Sequence, residues 1–231
     1  MKKSIIFTIL MVLVLIPATL YFGSQLSGKG YYLTGTLLVI YVLIPFLLSF
    51  EGRKPQAREL VITAVMCALA VASRTAFAFL PHFKPIFAII IIAGIALGAE
   101  AGFLVGAISA LVSNFFFGQG PWTPWQMMAY GICGCIAGLV YRKKSLDTSA
   151  LNLAIFGFVL LLFPIGPLLD TCTVFTTLSV LTPQAVLAVY ASGILTNIIQ
   201  AAVTAVTLLI LSKPLLQKLD RISKKYGLMN Q

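Results

Sequence analysis

The chain has 231 residues, of which 60% are hydrophobic and only 10% charged, against about 25% charged in an ordinary soluble domain. Together with a mean hydropathy of +1.02, this excludes a water-soluble globule and indicates an all-α, polytopic membrane helix bundle. The net charge of +10, from 16 Lys+Arg against 6 Asp+Glu, does not indicate a nucleic-acid partner, because the basic residues gather at segment ends, where they report topology.

In chain order, apolar runs predict spans at 5–22, 31–50, 58–80, 86–99, 101–117, 122–141, 150–169 and 185–212. Lys2 and Lys3 open the first run as they would a signal peptide. The run is longer than the usual apolar core of one, however, and lacks a small-x-small site before Gln25, so it is read as a retained helix. With the N-terminus inside, thirteen basic residues are cytoplasmic: Lys2, Lys3, Arg53, Lys54, Arg58, Arg142, Lys143, Lys144, Lys213, Lys218, Arg221, Lys224 and Lys225. Only Lys29, Arg74 and Lys84 fall on the outer side. This asymmetry puts both termini in the cytoplasm and the loops 81–85, 118–122 and 170–184 outside. The stretch Glu51–Arg58 reads as a cytoplasmic hinge, with two helices before it and six after.

Small residues recur every fourth position at Gly94, Gly98, Gly102, Gly106 and Ala110, ending at Asn114. The spacing predicts a smooth face for close helix packing, or a tight turn across Gly98–Gly102 that leaves Glu100 exposed. A second ladder, Ala64, Ala68, Ala72 and Ala76, gives the third segment a flat face for docking within the bundle or on a partner. Cys67, Cys133, Cys135 and Cys172 form no metal or redox pattern and read as packing residues.

Polar groups within apolar spans are costly and mark function by default. Asn114 lies near the outer end of the fifth span. Trp122, Gln126 and Tyr130 share one face of the sixth, with Trp125 beside them, and Asn197, Gln200 and Thr204 share a face of the eighth. The tryptophans suit either an interfacial belt or the aromatic wall of a pocket. Arg74, in the outer half of its span, either pairs with Asp170 or meets a ligand anion or amide. His82, alone between prolines, reads as a loop residue. No nucleotide, hydrolase or metalloprotease motif is present.

The stretches Phe83-Lys-Pro-Ile86 through Gly94, Ala101-Gly-Phe-Leu-Val-Gly106 and Ser113-Asn-Phe-Phe-Phe-Gly-Gln-Gly-Pro-Trp-Thr-Pro-Trp-Gln126 resemble the substrate-binding S component of energy-coupling factor (ECF) transporters. The closing Lys213-Pro-Leu-Leu, Asp220-Arg-Ile and Tyr226-Gly-Leu are similar to the same group. The resemblance covers about 57–228, a six-helix core, and leaves the two helices of residues 1–50 outside it. It implies a protein that is not an enzyme and carries no cofactor. Such a protein captures a vitamin near the outer face and docks on a transmembrane coupling subunit served by two ATPase subunits. On that resemblance Ala64, Ala68 and Ala72 match the docking ladder.

The sequence most resembles the subgroup assigned to cobalamin. A corrinoid would use Trp122 and Trp125 as walls, Asn114, Gln126, Asn197 and Gln200 as amide partners, Tyr130 on the same face, and Arg74 or Lys84 near its phosphate. The alternatives are another vitamin, a queuosine precursor, or an intramembrane lipid-modifying enzyme, for which the sequence supplies only Asp170, Glu100 and scattered cysteines.

Overall fold

The computed structural model describes residues 57–142, 147–178 and 180–226, with the helical positions 18, 19, 36, 37, 39–41 and 44 before them. Apart from those positions, the two spans expected at 5–22 and 31–50 lie outside the described residues. The rest form seven helices: α1 (Ala57–Ala76), α2 (Ile86–Leu97), α3 (Ala99–Phe117), α4 (Trp122–Val140), α5 (Ala150–Leu160), α6 (Gly166–Thr177) and α7 (Pro183–Tyr226). One π-helical turn, Leu161–Ile165, joins α5 to α6 and contains Pro164. Proline removes one ladder hydrogen bond and crowds the carbonyl four residues back, and a widened turn accommodates both without ending the helix. The span expected at 150–169 therefore continues to Thr177.

Four elements are long and apolar enough to cross a membrane: α1, α3, the joined α5–α6 and α7. The 12-residue α2 rises only about 18 Å, and α4 opens on the polar and aromatic run Trp122-Thr-Pro-Trp-Gln126. Two other expected boundaries shift. α1 stops at Ala76 rather than continuing to Leu80, and residues 77–80 form turns bonded three residues back, as suits a chain approaching Pro81. α7 runs well past residue 212 to Tyr226, its last turns carrying an ion pair between Lys224 and Asp220 at 2.6 Å.

The helix Ile-Phe-Ala-Ile-Ile-Ile-Ile-Ala at the start of α2 is apolar all round, and Ile86–Ala93 is accordingly buried throughout. It packs against α1, α3, α4 and α7. Glycines bring α2 and α3 against α4: a Cβ on Gly102 would stand 2.6 Å from the Gly134 carbonyl oxygen, and one on Gly106 2.1 Å from that of Tyr130. The small-residue ladder is thus a packing face, and its register breaks at Gly98, whose φ of 89° separates α2 from α3. Glu100, expected to be exposed at this turn, is half-buried in the first turn of α3.

The helices alternate in direction, so one end of the bundle gathers the C-terminal ends of α1, α3 and α6 with the N-terminal ends of α2, α4 and α7. Phe77 meets Phe83 there at 4.9 Å between ring centroids, and Trp125 stacks on Phe175 at 5.6 Å. Val39 is buried against Phe103, Ala107, Trp125, Met128 and Cys172 on α3, α4 and α6.

Candidate functional site

At this end of the bundle the apolar interior gives way to a connected polar network. Arg74, on the last turn of α1, is only 3% exposed. Its Nη1 donates to Ser113 Oγ and, at 3.0 Å, to Asn114 Oδ1 on α3. Asn114 Nδ2 donates in turn to Gln126 Oε1 at 2.9 Å and Thr123 Oγ1 at 3.2 Å on α4. Thr123 also donates to Gln119 Oε1 at 2.8 Å and accepts the Gly120 N–H at 3.2 Å. Three helices and the α3–α4 loop are thereby tied through Asn114, a side chain able both to accept and to donate.

The guanidinium lies under two rings, 4.5 Å from the Phe117 centroid and 5.9 Å from that of Tyr130, distances at which a ring face attracts a cation. Its Nε is buried, with no hydrogen-bond partner among the described residues. Tyr130 packs on Phe87 at 4.5 Å, so aromatic side chains floor the network. Lys84, half-buried in the loop before α2, is the second cation nearby. Burial, and then the Arg74 charge, push its ammonium below its ordinary range.

The expected Arg74–Asp170 pair does not form. Asp170 accepts instead from Asn197 Nδ2 at 2.7 Å, between α6 and α7. Gly166 and Gly193 make room for this contact, since a Cβ on either would stand 2.6 Å from Asn197 or 2.3 Å from Asp170. The neutral carbonyl and hydroxyl oxygens of Asn114 and Ser113 replace the carboxylate as acceptors for Arg74. Among the described residues, no carboxylate lies within ion-pair distance of Arg74 or Lys84.

The structure thus brings Arg74, Asn114, Gln126 and Tyr130 together, with Lys84 at their edge, and separates the other expected site residues from them. Trp125, 7% exposed, is one position round the helix from Gln126 and turns onto Phe175 instead; its Nε1 has no partner among the described residues. Trp122 folds over Gly120, donates to the Gly118 carbonyl at 3.4 Å and stays 40% exposed. Asn197 and Gln200 are buried on α7, Asn197 in its bond to Asp170. His82 is exposed in the 81–85 loop at φ 61°.

Sequence reading did not single out Ser113, Thr123 and Phe117, although the first two neighbour expected residues and are ordinary hydrogen-bonding side chains at the same helix ends. Ala64, Ala68 and Ala72, the expected docking ladder, are all exposed on α1, along with Val61, Val65 and Leu69. Thr63, Met66, Cys67, Ala70 and Arg74 form the opposite, buried face.

A family model described as ECF-type riboflavin transporter, S component, matches residues 54–217. No curated protein and no solved structure matches the chain.

Proposed function

The chain belongs to the family of ECF-type riboflavin transporter S components, and from that premise we propose that the Arg74 end of the bundle is an outward-facing site that captures cobalamin. Membership makes the protein a substrate-binding subunit of a membrane vitamin transporter, not an enzyme. It works with the transmembrane and ATPase subunits of the ECF module.

The observation that carries the site is the Arg74–Asn114–Gln126 network, a charged and amide-rich cluster inside an otherwise apolar bundle. Burying such groups in a membrane protein is expensive, and an aromatic floor with a few convergent polar groups is the usual make-up of a small-molecule pocket. The opposite end carries Arg58, Arg142 and the lysines after residue 212, which supports a cytoplasmic placement for that end and an outward one for Arg74.

Cobalamin is favoured by breadth and chemistry. Phe79, Phe115, Phe116 and Trp122 are exposed at the same end of the bundle as Arg74, apolar surface available to a corrin ring. Asn114, Gln119 and Gln126 are amides of the kind that pair with the peripheral amides of that ring. Riboflavin is the second reading, favoured by the description of the family and by the Phe87–Tyr130 ring pair, which would stack on a flat tricyclic ligand.

The exposed alanines of α1 are the docking face toward the coupling subunit, because side chains this small let a partner helix approach closely. Calorimetric titration of the purified protein with cobalamin and with riboflavin tests the ligand. Saturable, near-stoichiometric heat with cobalamin is expected. Heat with riboflavin alone establishes the second reading, and heat with neither overturns both.

A further inference from the structure

We propose that the ligand of this site carries a phosphate, and that Arg74 and Lys84 supply the positive charge that holds it. This rests on the capture site argued above and specifies the chemistry of what enters it.

Arg74 is a buried charge with no counter-ion among the described residues. Arg74 is 3% exposed, and its Nη1 donates to two neutral oxygens, those of Ser113 and Asn114. Neutral acceptors and the faces of Phe117 and Tyr130 solvate a guanidinium, yet none of them cancels its charge. Its Nε is buried and has no partner among the described residues, and a guanidinium offers five donors in a plane suited to a phosphate's oxygens.

The protein has little acid with which to answer. Of the described acids, Glu59 sits 15 positions before Arg74 on the same helix, about 22 Å away along the axis, and Glu100 opens α3 14 positions before Asn114, about 21 Å away. Asp147 precedes α5 and Asp220 is near the far end of α7, both remote from the Arg74 end. Asp170, the one acid in the outer half of the fold, is engaged with Asn197 between α6 and α7.

A second cation then compounds the first. The loop after α1 folds back through the Phe77–Phe83 contact, which sets the half-buried Lys84, two residues before α2, at the same end of the bundle as Arg74. Its ammonium is disfavoured first by burial and then by the Arg74 charge. Two partly desolvated cations at one site repel each other, and the arrangement raises the energy of the empty site. An anion entering between them reverses the sign of both effects: it relieves the repulsion and gains charge-assisted hydrogen bonds. Cobalamin brings such a group in its nucleotide loop, and among flavins FMN carries one where riboflavin does not.

Two ligand pairs differ in this group, cobalamin against cobinamide and FMN against riboflavin. Each is titrated into the full-length protein in a phosphate-free maltoside detergent, which keeps lipid phosphate out of the comparison. The expected result is that, in whichever pair binds, the phosphate-bearing member binds at least about tenfold tighter, and that Arg74→Gln brings the two members to within about threefold of each other. Lys84→Gln, a loop change that leaves the bundle packing intact, reduces the advantage in the same direction, and added salt weakens only the phosphate-bearing member.

Equal affinity within the pair that binds, with both variants affecting its members alike, overturns the phosphate proposal and leaves the capture site standing. Binding of none of the four overturns the ligand reading and the phosphate proposal together. Should Arg74→Gln fail to purify as a folded protein, Lys84→Gln decides alone: an unchanged ratio within the pair overturns the proposal.

Discussion

Asn114 is the residue on which the candidate site turns. It accepts from Arg74 and donates to Thr123 and Gln126, so its removal takes one acceptor from a buried cation and one donor from each of two polar side chains. Asn114→Ala should lower the stability of the ligand-free protein by about 1–3 kcal/mol, read as a drop in the thermal midpoint in detergent. It should also weaken cobalamin binding well beyond that of Asn197→Ala, whose bond to Asp170 is separate from the network. Equal losses in the two variants would move the ligand toward α6 and α7. The sequence marked Asn114, Gln126 and Tyr130 because a polar or aromatic face is visible in helical spacing. It did not disclose that Trp125, adjacent to Gln126, points elsewhere, since positions one apart on a helix diverge by about 100° and only the neighbouring helices decide which of two faces lines a site.

Elements divide here into those that pack and those that present a free face. The glycines of α3 and α4 let two backbones meet: a Cβ on Gly134 would stand 2.2 Å from the Gly102 carbonyl oxygen, an obstacle no rotamer change relieves. Gly134→Leu should therefore cost about 3 kcal/mol or more through forced separation of the helices, seen as loss of the monodisperse peak in size-exclusion chromatography. α1 behaves oppositely. Ala68 is exposed, so Ala68→Trp should leave folding and ligand titration unchanged while abolishing co-purification with the coupling subunit and uptake in cells. Retained assembly would remove α1 as the docking helix. Both ladders were legible as small residues four apart, and the sequence left open which one is internal. Gly94, Gly102 and Gly106 face α4, whereas the alanines face no other described helix, a distinction that spacing alone does not carry.

For the whole molecule, the charge asymmetry predicts the orientation in the membrane. In a variant whose four native cysteines are replaced by alanine, His82→Cys should react with a membrane-impermeant maleimide added to intact cells, and Ser223→Cys only after the cells are broken. The reverse pattern would turn the site to the cytoplasm and end its reading as a capture site. Composition, apolar run length and basic-residue placement determined by themselves that this chain is a helical membrane bundle. These are one-dimensional properties, set by the cost of placing charge and unpaired backbone in hydrocarbon. The tertiary structure alone decided that Pro164 is absorbed in a π turn, that Asp170 answers Asn197, and that Arg74 is left among neutral oxygens and aromatic rings. Those outcomes depend on which helix faces meet at a given depth, and helices of similar apolar sequence leave that choice to the packing of their small and large side chains.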